Sequence, residues 1–276
     1  MKHLFFYVII FLLFSCDKRD TVYFVKGTVT SIDLDKEKVI IAHDTIPELM
    51  MPMVMPFFVP EYQELSNLNI GDSVHFQFVW NDSLPFARKF KIVGIGNIPE
   101  FDDFFQDEFS MKQIGQKFDD VTLLTMDSNI VNLSDSDGKF RFISYIFSQC
   151  PMPNMCPMVV IKNQGLVNQF SDTNIIDFIL VSFDYKYDTP SVLNSYYGSI
   201  AERFNNLFFW SSTGYIEDAY RLVSQSGGKF WGVDEGKIGH DLTSILISPE
   251  RELLAYWKGD DWNVKEVSNA IKVFIK

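Results

Sequence analysis

The chain has 276 residues, with 24 Lys and Arg against 36 Asp and Glu, and a formal net charge of −12. That balance argues against nucleic acid or an anionic membrane surface as partner. Three cysteines exclude a disulfide-stapled scaffold, and 47% hydrophobic residues, 27 Phe among them, supply material for one or two packed cores.

The amino terminus reads as an export signal. Met1-Lys2-His3 is a basic start, Leu4 to Phe14 is uninterrupted apolar chain, and Leu13-Phe14-Ser15-Cys16 closes it before Asp17. This predicts a secretory signal over residues 1–15, the apolar stretch being short for a membrane span. Leu-Phe-Ser-Cys also resembles the lipobox of bacterial lipoproteins, which implies lipidation at Cys16 and a tether over residues 16–21. An uncleaved membrane anchor is the alternative. On either reading the rest of the chain is exported and tethered in the cell envelope, facing the periplasm.

Residues 22–96 read as strands: Val22 to Leu34, Lys38 to Ala42, Met53 to Val59, Ser73 to Trp80 and Phe86 to Ile95. Breaks such as Asn69-Ile70-Gly71-Asp72 and Asn81-Asp82-Ser83-Leu84-Pro85 separate them, which predicts a small β-barrel. The acidic stretch Pro99 to Asp107 marks a linker, taken as residues 97–112. From residue 113 to 276 strands alternate with helices. A hairpin over Val121 to Leu133 precedes a buried strand, Phe140 to Phe147, and a helix over 156–170. The strand Ile175 to Phe183, the helix Ser191 to Phe204, the strand Leu207 to Trp210 and the helix Tyr215 to Val223 follow. A hairpin, Leu242 to Ile247 with Glu252 to Tyr256, and a helix over Asn263 to Lys276 close the chain. The pattern predicts a mixed α/β sheet.

Two places concentrate chemistry. The first is Cys150-Pro-Met-Pro-Asn-Met-Cys156-Pro157, directly after a buried strand. With Cys16 in the signal, these thiols have no rivals, and the first turn of a helix stabilises thiolates. Metal binding and disulfide exchange both remain open to such a pair. Two thiols at a strand-to-helix corner evoke the thioredoxin architecture. The gap of five residues and the absence of proline between Pro190 and Pro249 depart from a thioredoxin oxidoreductase.

The loop Phe147 to Pro157 resembles the metal-binding loop of the Sco/SenC family, in its longer-spaced version. Ser182-Phe183-Asp184-Tyr-Lys-Tyr-Asp188-Thr189-Pro190 resembles that family's Asp-rich segment, and Gly239-His240-Asp241-Leu242 its histidine loop. The resemblance covers residues 113–276 and implies a thioredoxin-like domain in which Cys150, Cys156 and His240 hold one copper ion, with Asp184 supporting. Two thiolates and an imidazole suit copper in either oxidation state; zinc would take the same three, usually with a fourth. An inert disulfide beside a surface histidine is the bland alternative.

The second place is His43-Asp-Thr-Ile-Pro47-Glu-Leu-Met50-Met51-Pro52-Met53-Val54-Met55-Pro56-Phe57, which holds four of the ten methionines. Met51, Met53 and Met55 share a face if the strand runs that far. Thioethers select Cu(I), and His43 from the preceding strand would complete a soft site. From residue types alone, methionine filling the gaps of a small core is the favoured reading. The segments Ile41-Ala-His43, Ile46-Pro47, Met53-Val-Met55-Pro-Phe57 and Leu68-Asn-Ile-Gly71-Asp72 resemble the CusF-like copper-binding domain, a five-stranded barrel. That resemblance implies His43, Met53 and Met55 as Cu(I) ligands. It leaves Met50 or Met51 where some members carry a tryptophan, so Met51 stands as a supporting candidate. Trp80 reads as core and His75 as a structural or surface residue.

Together these readings describe a lipid-anchored copper metallochaperone rather than an enzyme. It would hold Cu(I) at both sites, with Cu(II) an alternative at the Cys/Cys/His site. Its partner would be an apo terminal oxidase subunit or another cuproprotein, and not nucleic acid. A thiol–disulfide reductase that keeps cuproprotein cysteines reduced, and a copper or silver buffer, are the rival readings.

Overall fold

Alternating apolar and polar side chains dictate strands in the first third of the chain, because successive residues of a strand face opposite ways. The computed structural model describes residues 20–276 apart from 51, 82–83, 99–109, 172–173, 229, 235–236, 241–242, 260–261 and 276, and describes 230–234 and 237–240 by their backbone. The predicted signal, Cys16, Met51 and the acidic stretch of the predicted linker lie outside the described residues.

Five strands open the fold: β1 (Thr21–Asp33), β2 (Lys38–His43), β3 (Met53–Phe58), β4 (Asp72–Trp80) and β5 (Phe86–Ile95), with a short helix, α1 (Tyr62–Ser66), between the third and fourth. They pair antiparallel in the order β3-β2-β1-β4-β5. An aromatic cluster fills the inner face. Phe57 meets Phe76 and Phe78 edge-on with ring centroids 5.0 and 5.1 Å apart, and Phe76 stacks on Phe90 at 4.9 Å. Trp80 packs edge-on against Phe78, while His75 is exposed, as the sequence predicts for both.

The second part contains β6 (Thr122–Thr125), β7 (Ile130–Asn132), β8 (Phe140–Ile146), α2 (Cys156–Gln169), β9 (Ile176–Ser182), α3 (Pro190–Ala201), β10 (Leu207–Ser211), α4 (Ile216–Gln225), β11 (Phe230–Asp234), β12 (Lys237–His240), β13 (Thr243–Ile247), β14 (Leu253–Lys258) and α5 (Val264–Phe274). Seven of these strands form a sheet in the order β14-β13-β8-β9-β10-β6-β7. Its centre, β8-β9-β10, is parallel, and both flanks are antiparallel. Residues 141–146 and all of β9 are buried, as strands covered on both faces require. This is the expected thioredoxin-like α/β architecture.

Two features depart from the sequence reading. The first sheet is five-stranded but not a closed barrel: among the described residues no ladder joins β3 to β5. The outer edge of β3 is taken instead by β12, which pairs parallel to it at Ile238↔Met53 and Gly239↔Val54, with β11 beyond. Gly239 and His240 of the expected histidine loop lie in that strand, and Asp241 and Leu242 lie outside the described residues.

Candidate metal centres

The first site lies on the inner face of β2 and β3. The antiparallel register sets His43 directly opposite Met53, and Ile41 opposite Met55. Alternation puts Met53, Met55 and Phe57 on one face, and His43, Met53 and Met55 are all buried. Close approach of the backbone helps: Gly27 stands opposite His43 on β1, where a Cβ would meet Ala42 O at 2.6 Å and the Cα of His43 at 2.9 Å.

The His43 ring is fixed from two sides. Its edge contacts Phe57, with centroids 5.6 Å apart, and its Nδ1 donates to the Asp44 carbonyl at 2.7 Å. A carbonyl only accepts, so Nδ1 carries the proton and Nε2 keeps its lone pair. That Nε2 is buried with no hydrogen-bond partner. Burial also depresses the ring pKa to about 4, which keeps the imidazole neutral. A neutral, oriented nitrogen with an unused lone pair beside two thioethers is the donor set that a soft monovalent cation takes. Met50, held by the Ile46–Met50 bridge, is buried next to this group in the chain.

The second site begins where β8 ends. Phe147 to Met155 form a tight loop with hydrogen bonds Cys150 N to Phe147 O at 3.4 Å and Met155 N to Met152 O at 3.1 Å. Cys156 opens α2, and Pro157 sits in its first turn, where the missing N–H costs nothing. Both thiols are free and buried. They are not equivalent. The hydrogen bond from Cys156 lowers the pKa of Cys150, and burial pushes Cys156 well above the usual thiol range. The helix terminus expected to stabilise thiolates is thus outweighed at Cys156 by loss of water.

Asp188, rather than Asp184, reaches the dithiol loop. The Asp188 carboxylate accepts from Ser148 N at 2.8 Å, from the Ser148 hydroxyl, and from Ser182 Oγ at 2.5 Å. Asp184 instead caps its own turn, accepting from the backbone N–H groups of Lys186 and Tyr187. Burial raises the pKa of both carboxyls. Asp188 was legible as the second acid of the Asp-rich segment, directly before the Thr189-Pro190 start of α3. Only the fold shows that it spans 40 positions back to Ser148.

A cavity of about 470 Å³ lies between Pro56 and Phe58 of β3 and Met152, Asn154, Met155 and Met158 of the dithiol loop and α2. Among the described residues no three His, Cys, Asp or Glu side chains gather as a metal cage. The first site relies on thioethers, and the dithiol's expected third ligand, His240, is described by its backbone at the end of β12. No helix among the described residues is long and apolar enough to cross a membrane.

Residues 106–276, more than half the chain, match the SCO1/SenC family model. The chain belongs to the SCO1/SenC family. Ahead of this SCO1/SenC region, residues 22–85 match the model described as copper binding periplasmic protein CusF. The same region is 34% identical over 67 residues to the cation efflux system protein CusF of Escherichia coli K12, covering 24% of this chain and 61% of that relative's length. Among solved structures, a SCO1/SenC family lipoprotein from Bacillus anthracis shares the fold, with a TM-score of 0.52 at 15% identity over 60% of this chain and all of that one. Arabidopsis thaliana ScoI with copper bound aligns with a TM-score of 0.48 at 19% identity, covering 59% of this chain and 98% of that one.

Proposed function

We propose that this SCO1/SenC family protein is an exported, membrane-tethered copper metallochaperone with two sites. His43, Met53 and Met55 capture Cu(I), and Cys150, Cys156 and His240 receive it. The observation that carries this reading is the His43 Nε2, a lone pair buried without a hydrogen-bond partner on a residue paired directly with Met53, while Met53 and Met55 are themselves buried on the same face. The match of residues 22–85 to the model described as copper binding periplasmic protein CusF supports copper as the cargo.

Transfer to the dithiol is ligand exchange without change of oxidation state. Copper–thioether bonds break as copper–thiolate bonds form, and the thiol protons leave to solvent. Thiolate is the stronger soft ligand, so the direction is from the methionine site to the cysteines. The onward recipient is an apo terminal oxidase subunit or another cuproprotein, reached from a lipid anchor at Cys16. Tighter Cu(I) binding at the methionine site than at the dithiol overturns the direction. Two independent copper equivalents on the full chain, one removed by Cys150→Ser and the other by Met53→Ala, is the expected result.

The unequal thiols favour a second reading, a thiol–disulfide reductase. The Cys150 thiolate would attack a partner's disulfide, and Cys156 would resolve the mixed disulfide. The two electrons pass to the partner as the Cys150–Cys156 bond forms. This role does not need His240, so loss of oxidase assembly in His240→Ala separates the two.

A further inference from the structure

We propose that the outer face of β1, β4 and β5 is a docking surface for anionic phospholipid headgroups, with Phe24 as its apolar centre and Lys26, Lys89 and Lys91 as its charges. The inference rests on the membrane tether proposed above and says which side of the first sheet lies against the lipid. Register builds the face. Lys26 pairs with His75 and His75 with Lys91, so the three form one row across β1, β4 and β5. Phe24, Gln77 and Arg88 form the next row. Level residues on paired strands share a face and stand about 5 Å apart. Val25 and Val29 of β1 are buried, so the alternate residues Phe24 and Lys26 point outward.

Three observations give this face its character. Phe24 is 79% exposed in mid-strand, and with Lys26, His75, Gln77, Lys89 and Lys91 it lines a cavity of about 210 Å³. The β4–β5 ladder is irregular there: Lys89 and Phe90 together stand against Phe76, and Lys89 takes a left-handed φ of 55°. Strict alternation with Arg88 would turn Lys89 inward, whereas the bulge brings it out beside Lys91. Residues 21–32, 73–80 and 86–95 hold no Asp or Glu, in a chain that has 36 of them. Among the described residues no carboxylate pairs with Lys26, Lys89 or Lys91. An exposed aromatic ring inside a ring of cations, clear of acids, matches the boundary between headgroups and acyl chains.

The tether selects lipid over an acidic protein. Phe24 lies eight residues beyond Cys16, so full extension keeps it within about 29 Å of an acylated residue. At that range the contact is intramolecular, and a weak surface suffices. Each lysine near an anionic surface is worth roughly fivefold in binding. The net charge of −12 belongs to the whole chain, and salt screens it beyond about 8 Å, so the local charge decides. Lys26 and its neighbour Gly27 face opposite ways, and Gly27 is the partner of His43, so lipid on this side covers none of His43, Met53 and Met55.

The test uses the chain from Cys16 to Lys276 carrying Cys16→Ser, so that no acyl chain holds it, sedimented with phosphatidylcholine vesicles with and without phosphatidylglycerol. It should bind the anionic vesicles alone and be released by salt. Lys26→Gln with Lys91→Gln should weaken that binding about 25-fold, and Phe24→Ser should weaken it as well. Lys265→Gln with Lys272→Gln, the same charge change made on α5, should leave it at the parent level. Equal binding to both vesicles, no binding to either, or equal loss in the two double variants overturns the inference. Capture by soluble poly-glutamate without vesicle binding overturns it too, because the partner is then an acidic protein. Mass spectrometry of the native protein reads the tether separately: Cys16 without an acyl chain overturns the tether, and the vesicle result still decides the face.

Discussion

His43 faces Met53 across a single rung of the β2–β3 ladder, and the imidazole nitrogen turned away from Asp44 is buried without a partner. On the proposed function, that nitrogen is the one that takes the metal. His43→Ala is expected to remove one of two copper equivalents while leaving the dithiol equivalent in place. Competitive Cu(I) titration reads the count directly, and retention of both equivalents would sink the assignment.

The same histidine predicts an acid sensitivity of the metal-free protein. Its folded pKa of about 4 lies below the ordinary 6.5, so the folded state binds fewer protons between those values. Stability from this group is complete above pH 6.5 and is lost as pH falls toward 4. The loss amounts to about 3 kcal/mol. Denaturant unfolding of wild type and His43→Leu at pH 7 and pH 4 isolates it, because the carboxylates titrate equally in both. Parallel losses in the two proteins would contradict the prediction.

Asp188 should matter more than Asp184 to the dithiol. Asp188→Asn replaces a carboxylate that accepts three hydrogen bonds at Ser148 and Ser182. We expect destabilisation of about 1–3 kcal/mol and faster reaction of the two thiols with an aromatic disulfide, as the loop loosens. Asp184→Ala removes a local turn cap, costing about 1 kcal/mol, and thiol reactivity should stay near wild type. Urea melts and thiol-labelling rates distinguish the two residues.

The thiols should alkylate in order. Cys150 is held low by the hydrogen bond from Cys156, whereas burial holds Cys156 high. Limited iodoacetamide near pH 7, followed by peptide mass mapping, should therefore find Cys150 modified first. Cys156→Ala removes the donor and should slow labelling of Cys150. Equal labelling of both thiols, or faster labelling in the variant, would contradict the asymmetry.

Much of this architecture is legible in the amino-acid sequence. The strands of the first sheet and the strand–loop–helix carrying the thiols follow from local alternation and turn residues, which act over a few positions, whereas the grouping of His43 with Met53 and Met55 comes from the resemblance to the CusF-like domain. What the sequence hides is non-local. Nothing in Lys237-Ile238-Gly239-His240, four residues with a glycine, announces a strand or says that it will complete the edge of β3. Asp184 and Asp188 look alike in sequence, and only the position of Ser148 decides which one reaches the loop.

β3 is a party wall. Met53, Met55 and Phe57 belong to the room on one side, Val54, Pro56 and Phe58 alternate onto the other, and the last three residues of the strand, Phe57 included, line a cavity with Met152, Asn154 and Met155 of the dithiol loop. A slip of one residue in its pairing with β2 would exchange every side chain between the two rooms, emptying the methionine site and disturbing the loop against the wall together. The connection from Asp44 to Pro52 can vary in content. The odd–even phase of β3 cannot, because the face it turns toward His43 is the one that carries Met53 and Met55.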